Sequence, residues 1–206
     1  MRLAAFIVFV SVMLLATCSA PNAIPMQVKT DRPSLPSNTE PALAPTEAAP
    51  NPKLPAASFE SQPYFNEEAG FALDYPAGWT VNEVVVGDRG TQVQFLSAPE
   101  IADIATLPEG GTRVNAMIYQ WDPKNDLAAF LANQKTAWNA SGFTVLEEQP
   151  LVLELGLPAV RFTVQTTEVN VIFLITALKD QYLVLSGEGD LGLVQEIVQR
   201  VRLISR

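Results

Sequence analysis

Prolines divide this chain into two unlike parts. Ten of the sixteen prolines lie between residues 21 and 63, among Ser, Thr, Asn and Ala and without apolar periodicity. Proline lacks a backbone donor, and a segment of this composition buries too little apolar surface to offset the entropy of ordering. The pattern predicts a disordered, partly polyproline tether over residues 18–62 and confines the folded domain to residues 63–206.

The residues before the tether have the organisation of a secretory leader. Met1 and Arg2 form a short positive start, and residues 3–16 are a nearly continuous apolar stretch of fourteen residues. That length is short for a bilayer span, which needs about 20 residues, but normal for the apolar region of a signal peptide. Residues 1–17 are therefore predicted to be a signal peptide.

The only cysteine of the chain, Cys18, follows this leader directly. The stretch Leu15-Ala16-Thr17-Cys18 resembles the lipobox of bacterial lipoproteins, whose cysteine is acylated and becomes the new N-terminus. Thr17 departs from the small residue usual before that cysteine, and the alternative is a free cysteine in an ordinary secretory leader. The resemblance implies lipid attached through Cys18 and a protein anchored on the extracytoplasmic face of the cell membrane.

Charge and composition disfavour several kinds of function. Residues 63–206 carry 9 basic and 18 acidic residues, a net charge of −9. A domain this acidic repels phosphate backbones, so nucleic acid is not an expected partner. The chain has no histidine and its domain no cysteine, which removes thiol nucleophiles, zinc clusters and the commonest general base. The domain is therefore predicted to be non-catalytic, with no metal or cofactor.

Alternating apolar segments separated by turn residues predict an antiparallel sheet. Strands are expected at residues 71–76, 79–86, 91–97, 113–121, 143–149, 151–155, 159–167, 171–179 and 182–186. Residues 171–178 are apolar on both faces, so we expect them in the middle of the sheet. Helices are predicted from the cap Asp126 to Gly142 and from Leu191 to about Val201, the second capped by Asp190. The fold class is α+β, a sheet of six to eight strands with helices packed on it.

Three segments carry a resemblance to a known family. GFALDYPAGWTV (residues 70–81), GLPAVRFTV (156–164) and DQYLVLSGEGD (180–190) resemble the opening, a later strand and the ending of the PsbP/Mog-type fold. The resemblance implies an α-β-α sandwich, and with the leader it suggests a bacterial lipoprotein with a PsbP/Mog-like domain. It implies structural roles for Tyr75, Pro76, Gly78 and Trp79. Members of the family are chiefly non-catalytic, and this favours a protein-binding or assembly module.

One connection is long and irregular. Residues 98–112 contain two prolines and a Gly-Gly pair. Because binding residues concentrate on such loops, we expect this loop, including Glu109, to form a contact surface with its neighbours Trp121 and Asp122. The expected partner is an unidentified membrane or cell-envelope protein. Replacing the loop by a short turn is expected to leave folding intact.

Two other functions stay open. One is a carrier of a small apolar ligand, held between the sheet and the first helix. The other is a hydrolase that uses carboxylates alone, which needs two carboxyl groups about 5–9.5 Å apart in one cleft. The adjacent pairs Glu67-Glu68 and Glu147-Glu148 do not converge by themselves, because successive strand residues point to opposite faces.

Overall fold

The computed structural model describes residues 54–85, 91–120, 122 and 126–204. The predicted leader, Cys18 and most of the predicted tether lie outside these residues. The strands are β1 (Ser61–Asn66), β2 (Phe71–Pro76), β3 (Thr80–Val85), β4 (Thr91–Leu96), β5 (Arg113–Gln120), β6 (Thr144–Val152), β7 (Pro158–Gln165), β8 (Asn170–Ala177), β9 (Gln181–Glu188) and β10 (Val201–Leu203). The α-helices are α1 (Leu127–Ala140) and α2 (Leu191–Val198). Within the described residues, neither helix has the length and apolarity needed to cross a bilayer.

Seven strands form one antiparallel sheet in the order β3-β4-β5-β9-β8-β7-β6. This confirms the predicted α+β class with an antiparallel sheet and helices packed on it. The apolar strand β8 lies in the interior of the sheet, as predicted. Its Ile172 and Leu174 belong to one hydrophobic core, whereas Ile175 and Phe173 belong to another.

A separate three-stranded sheet, β1-β2-β10, was not predicted. Strand β2 pairs with β1 on one side and with β10 on the other, where Val201 lies opposite Leu73. The expected extension of the second helix to Val201 is wrong, because α2 ends at Val198 and Val201 is buried in β10. A three-residue strand has too little local signal to be read from sequence, since pairing with β2 alone defines it.

The ordered domain begins before the predicted boundary at residue 63. Ser58 donates hydrogen bonds from its backbone N–H (2.7 Å) and its hydroxyl (2.5 Å) to the carboxylate of Glu196 on α2. Arg200 donates to the carbonyl oxygen of Pro55 (2.9 Å) and also to Glu196 (2.9 Å). Its guanidinium lies 5.8 Å from the ring centroid of Phe59. Residues 54–62 therefore belong to the domain, although their composition resembles that of the tether.

The seven-stranded sheet has a hydrophobic core on each face. The larger core joins the sheet to β2, β10 and α2, with Phe71, Leu73, Phe95 and Val194 completely buried. The smaller core lies under α1 and consists mainly of Trp138, Phe162, Val164, Ile175 and Val184. The arrangement is a layered α+β domain with α1 on one face and α2 with the small sheet on the other.

Local signals set several element ends. The carboxylates of Asp126 and Asp190 accept the backbone N–H groups of Ala129 (2.8 Å) and Leu193 (3.1 Å), so both predicted helix caps are confirmed. The break expected between residues 149 and 151 is wrong, because β6 runs through Pro150. This strand forms an edge of the sheet, where a proline costs no ladder hydrogen bond.

Candidate functional site

A cleft of about 520 Å³ opens at one end of the seven-stranded sheet. Its walls are the loop before β5, the turn between β7 and β8, and the turn from β9 into α2. The lining residues are Ala105, Thr106, Leu107, Pro108, Gly110, Gly111, Glu168, Val169, Asn170, Glu188, Gly189, Asp190 and Leu191. They include three carboxylates and no basic side chain. We call this site the acidic cleft.

Arg113, the first residue of β5, holds the loop wall of the acidic cleft. Its Nη1 donates to the backbone carbonyl oxygens of Ile101 (3.2 Å), Ala102 (3.3 Å) and Ile104 (3.1 Å). Its Nε and Nη2 donate to the Glu188 carboxylate on β9. Ile101 itself is buried in the domain. The loop therefore supplies a core residue and the acceptors of a partly buried guanidinium, and a short replacement turn would remove both.

The turn from β9 into α2 approaches the same loop very closely. The hydroxyl oxygen of Thr112 accepts the Asp190 backbone N–H at 3.1 Å, and the Thr112 N–H donates to the Ser97 hydroxyl at 3.0 Å. Gly189 has a φ of +102°, and a Cβ atom there would lie 2.2 Å from the carbonyl oxygen of Gly111. Only glycine fits this position, because a side chain would meet backbone atoms and strain the left-handed conformation.

Each carboxylate that lines the acidic cleft has a structural partner. Glu188 pairs with Arg113, and Asp190 caps α2. Glu168 accepts a hydrogen bond from the Thr106 hydroxyl at 3.2 Å. These bonds fix the walls of the cleft and leave an acidic, partly apolar surface. Such a surface suits the binding of a cationic or apolar chain rather than proton transfer.

The predicted site residues do not come together. Glu109 is exposed in the turn between two lining residues of the acidic cleft, Pro108 and Gly110. Asp122 is also exposed, but it follows the opposite end of β5, a strand of 8 residues that spans roughly 25 Å. The strand β5 therefore separates Glu109 from Asp122, and a contact surface that includes both residues stays a prediction. Trp121 and Cys18 lie outside the described residues.

Asp122 lies at the end of the domain where α1 begins. Burial raises the pKa of Tyr182, and the carboxylates of Asp126 and Asp122 raise it further. The Tyr182 ring stacks on that of Phe130, with a distance of 4.1 Å between ring centroids. Asp122 therefore belongs to the surroundings of the α1 face and not to the acidic cleft.

Aromatic rings occupy the place where the carrier hypothesis locates its ligand. Between α1 and the sheet, the Trp138 ring lies 5.3 Å from that of Phe162 and 4.8 Å from that of Phe173, measured between centroids. These rings and the Phe130–Tyr182 stack fill the interface. Large aromatic side chains therefore pack where the carrier hypothesis places its ligand.

The paired acids of β6 point in different directions, as their adjacency predicts. Glu147 accepts hydrogen bonds from Arg161 and from the Thr163 hydroxyl, each at 3.2 Å. Glu148 instead forms an ion pair with Lys135 of α1 at 3.0 Å. Over the described part of the chain, no group of three potential metal ligands converges. The carboxylates of β6 therefore act as surface ion pairs.

Sequence reasoning missed Arg113, Thr112 and Glu168. Arg113 begins a strand directly after the long loop, and its position there was the only available signal. Glu168 lies in a turn between two strands, and nothing local connects it with a loop 62 residues away. Gly189 and Asp190 form the turn between β9 and α2, whereas Gly187 and Glu188, which the sequence placed after the strand of residues 182–186, belong to β9.

No family model and no curated protein matches the chain, whereas several solved structures resemble it. The solution structure of cyanobacterial PsbP (CyanoP) from Synechocystis sp. PCC 6803 is 12% identical, with a TM-score of 0.49 over 74% of this chain and 98% of CyanoP. The Saccharomyces cerevisiae Ran-binding protein Mog1p is 15% identical, with a TM-score of 0.42 over 72% of this chain and 97% of Mog1p.

A Pseudomonas aeruginosa protein of unknown function, described as a putative regulator, is 16% identical, with a TM-score of 0.40 over 71% of this chain and 97% of that protein. These structures thus include a PsbP protein and a Mog1 protein, the two names in the PsbP/Mog-type fold that the sequence resembles. At these identities and TM-scores, the similarities assign neither a family nor a function to the chain.

Proposed function

We propose that the domain is a non-catalytic protein-binding or assembly module, and that the acidic cleft is its binding site. The observation that supports this most directly is the construction of the cleft. Three separate segments form its walls, and side-chain hydrogen bonds of Arg113, Thr112 and Thr106 join them. A preformed cleft of this kind orders few groups on binding, which favours capture of a protein segment.

The chemistry of the cleft supports binding over catalysis. Glu168, Glu188 and Asp190 each bond to a structural partner, and the chain contains no histidine to act as a base. Leu107, Val169 and neighbouring apolar residues offer contact surface beside these carboxylates. This combination matches protein interfaces, where apolar contacts contribute affinity and charges contribute specificity.

The proposal also includes a cellular location for this module. The leader and Cys18 support a lipid anchor on the extracytoplasmic face of the cell membrane, and a membrane or cell-envelope protein as the partner. Mass spectrometry of the N-terminal peptide from the native host's membranes tests the anchor. We expect Cys18 to be diacylated. We also expect the protein to be lost from the membranes in a Cys18→Ala variant. An unmodified Cys18 would refute the anchoring.

Site-specific crosslinking tests the binding site. A photo-crosslinking amino acid is placed at Glu109, beside the cleft, and in a control variant at exposed Ala132 on α1. We expect one reproducible crosslinked envelope protein from position 109, absent from position 132. Charge reversal by Glu168→Lys should reduce that product. Equal crosslinking from both positions, or none from position 109, would contradict the assignment of the cleft.

A further inference from the structure

A row of uncharged polar side chains crosses four strands of the main sheet. Asn82 of β3 lies opposite Gln94 of β4, which in turn lies opposite Asn115 of β5. Asn115 lies opposite Ser186 of β9. Gln92 lies beside them, two residues before Gln94 on the same face of β4. Neighbouring strands are about 4.8 Å apart, so these five residues, which we call the polar row, extend about 14 Å across the sheet.

The polar row lies on the face of the sheet that carries α1. The residues next to its members along each strand point the other way, into the larger hydrophobic core: Val81, Val93, Val114 and Leu185. Helix α1 packs on β6 and β8, and its Trp138 ring lies 4.8 Å from that of Phe173, the residue opposite Ser186 on β8. All five members of the row are partly exposed. Among the described residues, the helix therefore borders the row and does not bury it.

Hydrogen bonds hold the amide groups of the polar row in place. The Oδ1 atom of Asn115 accepts from Nε2 of Gln92 at 3.0 Å and from Nε2 of Gln94 at 3.4 Å. The Oε1 atom of Gln94 accepts from Nδ2 of Asn82 at 3.1 Å. A primary amide offers two N–H donors and one oxygen acceptor, so these bonds engage only part of what the row can donate and accept. The row is therefore preorganised at a partly exposed surface.

Apolar side chains lie next to the polar row. Val84 of β3 lies opposite Gln92, which lies opposite Met117 of β5. The side chain of Val84 is 37% exposed, and Met117 is partly exposed. The surface thus offers hydrogen bonds along the polar row and apolar contacts beside it, and none of these residues is charged.

We propose that the polar row binds a neutral, extended oligosaccharide. A sugar ring has hydroxyl groups at its rim, each a donor and an acceptor, and C–H groups on its faces, which match amides beside apolar side chains. A phosphate or ammonium group would lose its hydration at the row without gaining an opposite charge. An extended peptide pairs with the edge of a sheet and not with its face. The proposal goes beyond the function proposed for the acidic cleft, because it assigns a second ligand to another surface.

NMR titration of the chain without its predicted leader tests this proposal, because the side-chain amides of Asn and Gln give their own ¹H–¹⁵N signals. The probes are chitotetraose and cellotetraose, two neutral linear tetrasaccharides. We expect at least one of them to shift the signals of Asn82, Gln94 and Asn115 saturably, with a Kd of about 1 mM. The exposed amides of Asn139 and Gln165 should not shift. Glycerol at the same hydroxyl concentration should shift none of these signals.

Two substitutions show whether the polar row itself binds the probe. Asn115→Ala removes the acceptor at the centre of the row, and Asn82→Ala removes an amide on β3, an edge strand of the sheet. Each should weaken binding about tenfold, whereas Gln165→Ala should leave it unchanged. Backbone signals at their wild-type positions show which variants keep the fold.

Three results would overturn the proposal. The first is that neither probe shifts the wild-type signals of the polar row saturably up to about 10 mM. The second is that Asn139 and Gln165 shift equally, or that folded variants of the row keep full affinity. The third is a saturable shift confined to the acidic cleft, which would place the sugar there. Crosslinking of a partner at position 109 does not depend on these signals, so the two proposals can fail separately.

Discussion

The two faces of the seven-stranded sheet are covered in different ways. On one face, α2 buries Val194, Ile197 and Val198 completely, and the three-stranded sheet extends the same core. On the other face, α1 contributes Trp138 as its buried residue, with partly buried neighbours around it. The α2 face also holds the N-terminal segment of the domain and one wall of the acidic cleft. The larger hydrophobic core and one wall of the proposed binding site therefore lie on the α2 face, whereas the packing of α1 on the sheet depends on a few aromatic rings.

The largest effect is expected on the α2 face. Phe95 is completely buried, and its ring lies 5.3 Å from that of Tyr64 and 5.0 Å from that of Tyr75, between centroids. We expect Phe95→Ala to lower the free energy of unfolding by about 4 kcal/mol, since it removes ring contacts and leaves a cavity. Urea denaturation measures this. Phe65→Ala, at a side chain 57% exposed, should change it by less than about 0.5 kcal/mol.

Trp138→Ala tests whether the α1 face can loosen by itself. Removing this ring should cost about 3 kcal/mol, because Phe162 and Phe173 lose their contact with α1. Hydrogen exchange should increase mainly in α1, and residues 98–112 should keep their protection. If exchange rises equally at the acidic cleft, the two faces do not behave as separate units and the comparison fails.

Arg113→Met probes the cleft wall. The substitution leaves the Glu188 carboxylate without its ion pair and frees three backbone carbonyl oxygens, so we expect a loss of about 2–3 kcal/mol. Hydrogen exchange should increase across residues 98–112. Arg161→Met is the matched control, since Arg161 is buried but bonds to Glu147 and Gln149 on the β6 edge. That variant should leave the loop protected, and an equally mobile loop would refute the role of Arg113.

The smallest effect concerns pH at the N-terminal segment. Burial raises the pKa of Glu196, but hydrogen bonds from Ser58 and Arg200 outweigh it, so the folded pKa lies below the ordinary value. The stabilisation is then complete above the unfolded pKa near 4.5 and disappears as the pH falls through the lower folded pKa. Glu196→Gln should cost about 1 kcal/mol at pH 7 and little once the pH has fallen below the folded pKa. A pH-independent difference in urea denaturation would contradict this assignment.

Much of the fold could be predicted because its signals are local. Alternation of apolar residues located β2, β4, β5, β7, β8 and β9, and the carboxylates of Asp126 and Asp190 marked where both helices begin. A residue's face in a strand or a helix depends on its near neighbours. Strand β1 was missed because Pro63 and the tether-like residues before it obscured its pattern.

The candidate site could be predicted only in part. The loop of residues 98–112 was located, and Glu109 does lie beside the acidic cleft. Asp122 was placed in the same surface because it is near in sequence, yet β5 carries it to the other end of the sheet. The bonds of Arg113 to Glu188 and of Thr106 to Glu168 join residues 75 and 62 positions apart, which no local pattern encodes.

By itself, the sequence determined the chain order of both helices and of most strands of the main sheet, the central position of β8, the helix caps and the acidic net charge. Tertiary structure alone decided that β2 leaves the main sheet to pair with β1 and β10, and that three distant segments enclose the acidic cleft. The physical reason is the range of the interactions. Caps and periodicity act over a few residues, whereas strand pairing and the close approach of Gly189 to Gly111 depend on how the whole chain packs.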